Sequence, residues 1–165
     1  MLTLYLIRHA KSSWGNPGLR DHERPLNERG LNDAPKMAQL LAEQGVVPDL
    51  LVSSPAKRAL STAVFFANAF NIEPGAIVRE AEIYEAFPKD ILRIISGLPD
   101  SAKTVMIFGH NPTFTEVVNH FIEDDFIENM PTCGVAKITS SADSWRALYE
   151  GNSSVAACYF PKEVL

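Results

Sequence analysis

Three stretches of the chain, TLYLIR at 3–8, DLLVSS at 49–54 and TVMIFGH at 104–110, are apolar without any alternation of polar residues. A strand with one face in water alternates apolar and polar side chains. A strand that does not alternate is covered on both faces, the usual condition of a parallel sheet held between two helix layers. Segments of helical character follow all three. After the first, Leu31, Ala34, Met37, Ala38, Leu41 and Ala42 fall at helical spacing over 31–45, with Pro35 near the expected start and Gly45 as the stop. After the second, Pro55 opens PAKRALSTAVFFANAF, in which Phe65, Phe66 and Phe70 read as core. After the third comes NPTFTEVVNHFI, with Pro112 in its first turn.

Shorter elements complete the pattern. AIVRE at 76–80 reads as a strand and PKDILRIISGL at 88–98 as a helix. The segments at 134–140, 145–151 and 154–160 all read as strands, the last of them forming an antiparallel edge. Strands alternating with helices predict an α/β fold, a three-layer sandwich with a mostly parallel central sheet and helices on both faces. The 165 residues fit one domain, 1–165, with no repeat and no low-complexity linker.

Composition narrows the function classes. The net charge of −5 argues against nucleic acid as a partner, because domains that bind it usually carry a basic surplus. No apolar run approaches the roughly 20 residues that span a bilayer, so no membrane role is expected. The first apolar stretch has no basic segment before it and ends at Arg8, unlike a signal peptide, and only two cysteines occur, so a cytoplasmic location is expected.

The chemistry gathers where these strands end. In open α/β sheets, sites form beyond the C-terminal ends of the strands. The first strand ends in Arg8-His9. The second runs through SSPAKRA, which puts Arg58 in the first turn of the next helix. The third ends in Gly109-His110-Asn111. If the three strands are parallel neighbours, two arginines and two histidines converge. Two guanidiniums suit a phosphate, because each offers planar paired donors and stays charged. A neutral imidazole beside them can attack phosphorus, and the arginines favour that neutral form. A second imidazole can stabilise the phosphoryl oxygens. The long polar loop at 12–30 has the character of functional loops. Of its charges, Arg24 is read as touching substrate, while Arg20, Asp21 and Arg29 are read as pairing among themselves. His22 and His120 are read as non-catalytic. A metal site at Asp124 and Asp125 lacks a ligand spacing, and no metal or cofactor is expected.

The motifs LIRHAKSSW, DHERPLNERG, LVSSPAKRALSTA, IYEA and IFGHNP, in that order, resemble the histidine phosphatase superfamily, with its phosphoglycerate-mutase-like fold. Its hallmark is RHG at the end of the first strand. Here the motif is Arg8-His9-Ala10, and the alanine is similar to the short branch of the bacterial phosphohistidine phosphatase SixA. The resemblance implies that His9 is the nucleophile that becomes phosphohistidine. It also implies that Arg8 and Arg58 bind the phosphate, that His110 is the second pocket histidine, and that Glu85 in IYEA stands where larger members place the proton donor. Ser12 lies where relatives carry a hydroxyl near the phosphate. Arg24, His110 and Asn111 complete the expected substrate contacts.

Other phosphatase chemistries lack their signatures. A thiol phosphatase needs arginine six residues after its cysteine, but Thr139 and Val164 stand there, and no P-loop, HExxH or GxSxG occurs. Only 25 or so residues separate the 76–80 strand from the strand at 104, too few for the helical lids of larger relatives, so an open site is expected. The expected partner is therefore a phosphorylated protein, possibly a phosphotransfer domain. The alternatives are a small phosphate ester and, in another class, a non-catalytic phosphate-binding domain.

Overall fold

The computed structural model describes all residues, Met1–Leu165. Its strands are β1 (Leu2–Arg8), β2 (Leu50–Ser53), β3 (Val78–Arg79), β4 (Thr104–Gly109), β5 (Val135–Ser140) and β6 (Ser153–Tyr159). Its helices are α1 (Glu28–Glu43), α2 (Lys57–Ala69), α3 (Pro88–Ser96), α4 (Thr113–His120) and the single turn α5 (Pro161–Val164). One six-stranded sheet runs β3-β2-β4-β1-β5-β6. β1 pairs parallel with β4, and β2 pairs parallel with both β4 and β3. β5 and β6 close the other side antiparallel. No helix is long and apolar enough to cross a membrane.

The missing alternation in β1 and β4 has a direct cause. Leu4, Leu6, Val105 and Ile107 face one layer, where they meet Ile91 and Ile95 of α3 and Phe114, Val117 and Val118 of α4. Tyr5, Ile7, Met106 and Phe108 face the opposite layer, against Met37 and Leu41 of α1 and Phe66 of α2. Both faces are core, so both sets of side chains are apolar.

Two local expectations are corrected. α1 starts at Glu28 rather than near Pro35, which lies inside it. Asn27 caps the helix, its Oδ1 accepting from the Gly30 N–H at 3.0 Å. Pro35 costs one hydrogen bond to the Leu31 carbonyl. That loss is outweighed by the cap and by burial of Ala34, Met37, Ala38 and Leu41. The segment at 145–151 is not a strand but two 3-10 turns, at Trp145–Ala147 and Glu150–Asn152. Both edges of β5 are already paired, and the fully buried Trp145 plugs the core with its indole N–H donating to the Ala102 carbonyl at 2.7 Å.

The long loop folds back on β1. Ser12 pairs with Leu26 as an isolated bridge, and the Asn27 N–H donates to the Lys11 carbonyl. Gly30 is needed here, because a Cβ would collide with the Lys11 main chain. Closed in this way, the loop carries Asp21 and Arg24 to the C-terminal end of the sheet.

Candidate active site

Sheet order places the three polar strand ends side by side. β4 lies between β1 and β2, Arg8 stands opposite Gly109, and Ser53 stands opposite Phe108. A Cβ at Gly109 would clash with the Phe114 ring and with Ile83, so glycine lets α4 start close behind the site. His9 and His110 then meet with ring centroids 5.3 Å apart.

His9 is held in one tautomer. Its Nδ1 lies 2.7 Å from the Ala10 carbonyl, an acceptor only, so the proton sits on Nδ1 and Nε2 carries a lone pair. The ring is 7% exposed. Burial, with Arg58, Arg8 and Arg24 nearby, brings its pKa down to about 4 against the opposing bond to Ala10. Burial, together with His9, Arg58 and Arg8, brings His110 down to about 3. His110 Nε2 lies 2.8 Å from the Ser54 hydroxyl, which itself accepts from the Ala56 N–H. Its Nδ1 is buried and unpartnered.

The two arginines are anchored alike. Arg8 donates Nη1 to the Met130 carbonyl at 2.8 Å, and Arg58 donates Nη1 to the Asp21 carbonyl at 2.7 Å. In both, the Nε–H is buried without a partner. The buried side-chain nitrogen and oxygen atoms without a partner are thus Nε of Arg8, Nε of Arg58 and Nδ1 of His110, all at this one site. Such buried, unpaired polar atoms are rare in native structures.

Arg24 is also brought in. It is 8% exposed, its Nε meets Asp21 Oδ1 at 3.1 Å, and its Nη1 donates to the Ser12 hydroxyl at 2.8 Å. Its guanidinium stacks 3.5 Å from the ring centroid of the exposed Trp14. Ser12 accepts from Arg24 and keeps its own hydroxyl proton available. Glu85 is exposed at a φ of 57°, next to Tyr84, whose ring lies edge-on to His110 at 5.7 Å.

Asn111 is a correction. Its Nδ2 donates to Asn129 Oδ1 and to the Met130 carbonyl, and its Oδ1 accepts from the Thr115 N–H and hydroxyl. Two donors and two acceptor positions are filled, so nothing remains for a substrate. The amide instead fixes the Met130 carbonyl, which holds Arg8.

Sequence reasoning missed the extent of Asp21. Its carboxylate receives Arg24 at Oδ1, and both Arg58 Nη2 (3.0 Å) and the Tyr84 hydroxyl (2.6 Å) at Oδ2. These bonds, Tyr84 first, hold its pKa well below the usual carboxylate range. Its spacing to Arg24 signalled the local pair, but nothing in the sequence signals contacts with Arg58 and Tyr84, 37 and 63 positions away. His22, read as non-catalytic, packs edge-on against Tyr84 at 4.8 Å.

Comparison with known proteins identifies the family and the fold. A family model described as the histidine phosphatase superfamily (branch 1) matches residues 4–87. An uncharacterised chloroplastic protein of Arabidopsis thaliana is 32% identical over 157 residues, which cover 88% of this chain and 70% of that one. A solved structure from Agrobacterium tumefaciens, assigned as the phosphohistidine phosphatase SixA, superposes with a TM-score of 0.81 at 32% identity, covering 96% of this chain and 97% of its own. The protein histidine phosphatase SixA complexed with tungstate shares the fold at 19% identity, with a TM-score of 0.82 over 98% of this chain and 99% of its own.

Proposed function

The chain belongs to the histidine phosphatase superfamily, in its SixA-like branch, and from that premise we propose that it removes the phosphoryl group from a phosphohistidine, or another phosphorylated residue, on a protein. Coarsely stated, it is a phosphatase. One observation carries the reading of the site: the unpaired buried nitrogens of Arg8, Arg58 and His110 gather at the strand ends that carry a buried, neutral His9 whose proton is held on Nδ1.

The chemistry follows from those positions. The phosphoryl oxygens take the free Nε edges of Arg8 and Arg58, which are already anchored at Nη1 and lose little freedom on binding. His9 Nε2 attacks phosphorus, and the bond to the leaving group breaks as the Nε2–P bond forms. With the Ser54 hydroxyl donating to Nε2 of His110, the His110 proton lies on Nδ1 and stabilises the charge gathering on the phosphoryl oxygens. Water then attacks phosphohistidine-9 and releases phosphate. Glu85, exposed at the mouth, is proposed to protonate leaving groups that depart through oxygen. Ser12 and Arg24 are buried beside the pocket, bonded to each other. No metal or cofactor enters this scheme.

A protein substrate is favoured over a small metabolite by the resemblance to SixA and by the connection from β3 to β4, which holds a three-residue 3-10 turn at Ala81–Ile83, the nine-residue α3 and no further helix to serve as a lid. The test is to trap the intermediate. Incubation with a labelled phosphoprotein or aryl phosphate should put an acid-labile, alkali-stable phosphoryl group on His9, and His9→Ala should abolish both label and turnover. Label on another residue, or turnover that survives the substitution, would overturn the assignment.

A further inference from the structure

The mechanism leaves one charged group of the pocket without a task. Asp21 brings a negative charge into a site built to receive an anion. Its carboxylate also ties Arg24 and Arg58 to Tyr84.

Counting bonds shows what remains open. An ionised carboxylate offers about four acceptor positions. Oδ2 receives two donors, Arg58 and Tyr84, and Oδ1 receives one, Arg24. One position on Oδ1 is therefore free. The side chain is 49% exposed, unlike those of Arg24 and Arg58 at 9% and 8%, so it reaches the mouth while the arginines stay behind. Tyr84 runs from Asp21 to the edge of the His110 ring, so the carboxylate is tied to the wall of the pocket that His110 forms. Asp21 thus stands half-exposed at the mouth, where a group leaving the buried His9 passes on its way to solvent.

Charge balance points the same way. The guanidiniums of Arg8, Arg24 and Arg58 are neutralised by a phosphoryl dianion together with Asp21. Once the phosphoryl group is seated, Asp21 is no longer swamped by positive charge and can accept a further donor.

We propose that Asp21 is a specificity-determining residue that accepts a hydrogen bond from a cationic N–H on the leaving group and so selects phosphorylated side chains whose departing fragment carries one. A phosphoimidazole protonated on the ring nitrogen distal to phosphorus has that group. When its P–N bond breaks, the electron pair returns to the ring nitrogen, the phosphoryl group passes to His9, and the imidazole leaves neutral with its distal proton still in place. No proton is needed from the protein. A leaving group bearing a carboxylate, by contrast, meets Asp21 with like charge. This inference rests on the phosphatase reading above and refines its substrate class.

The test compares ratios, because Asp21→Asn also loosens Arg58. The probes are N-phosphoimidazole, whose leaving group carries the N–H, and para-nitrophenyl phosphate, whose leaving group has no donor. The ratio of their kcat/KM values should fall about tenfold or more in D21N, as expected for loss of a charge-assisted bond. Tyr84→Phe, which removes another bond to the same carboxylate, should leave the ratio within about threefold. In the wild-type enzyme, phosphoethanolamine should be hydrolysed with higher kcat/KM than phosphoglycolate, a comparison that needs no variant to fold. Equal loss on both probes in D21N, or no preference between those two esters, would overturn the role of Asp21 while the phosphatase reading stands. Failure of the wild-type protein to hydrolyse any of the four, with no label on His9, would overturn both.

Discussion

The main-chain N–H of Ala10 donates to the hydroxyl of Thr62 at 3.0 Å, across 52 positions of sequence. The same hydroxyl donates to the Arg58 carbonyl at 2.8 Å. One fully buried side chain thus ties the residue after the proposed nucleophile to the first turn of α2, which carries a phosphate arginine. The register between His9 and Arg58 depends on it.

Thr62→Val keeps the shape and removes both bonds. It leaves the Ala10 N–H buried without an acceptor, at a cost of about 1–3 kcal/mol. Urea denaturation should show that loss, kcat should fall about tenfold as the two groups drift apart, and Thr62→Ser should restore most of both.

The two pocket histidines should remain neutral well into acid. Imidazole resonances of His9 and His110 followed by NMR should show midpoints near 4 and 3, against about 6.5 for an unperturbed ring. Stability is linked to these shifts. Between roughly 6.5 and 3 the unfolded chain binds protons that the folded pocket refuses, with His9 contributing down to about 4 and His110 to about 3, so stability falls as pH falls through that window. His9→Asn should flatten the slope of stability against pH, and an unchanged slope would contradict the burial of a neutral ring.

Arg58 offers its Nε edge because Asp21 holds the opposite end. Lysine cannot reproduce that fork, so Arg58→Lys should weaken inhibition by inorganic phosphate by about ten- to a hundredfold, the value of a charged bidentate contact. Isothermal titration with phosphate or vanadate measures it.

Asn111 has no bond to spare for a substrate. Asn111→Ala should therefore act on stability, by about 2 kcal/mol or more, since it strands the N–H and hydroxyl donors of Thr115 and frees the segment at Asn129 and Met130. Chemical denaturation should register this loss. A large rise in KM at unchanged stability would show that the amide faces the substrate after all.

Glu85→Gln separates two classes of leaving group. Hydrolysis of alkyl phosphates, whose oxygen needs a proton, should drop by about a hundredfold. Hydrolysis of N-phosphoimidazole should hardly change, the reverse of the pattern expected for Asp21→Asn. Equal loss on both substrates would remove Glu85 from the role of proton donor.

Much of the frame was legible before any coordinates. Unbroken apolar runs announced strands covered on both faces, and Arg8, His9, Arg58 and His110 stood out because each marks the end of such a run or the turn after it. WRALYEG misled, because Trp145 fills the core while Ala147 and Tyr149 stay exposed, so the stretch does not extend the sheet, and periodicity alone does not tell a plug from a strand. Pro35 misled because a proline's local penalty was weighed without the Asn27 cap and the buried face of α1. Asn111 misled because a polar residue next to a catalytic motif looks the same in sequence whether its amide meets substrate or main chain.

The sequence by itself determined which faces of the strands and helices are apolar, and that three buried strands each end in polar residues. Those are consequences of local periodicity and composition. Only the tertiary structure decided that β4 lies between β1 and β2, that Arg8 and Arg58 keep their Nε edges free, and that Asp21 bridges two arginines and a tyrosine. Such relations depend on distances between residues far apart in the chain. Those distances are set by packing the layers together, and no local pattern of residues encodes them.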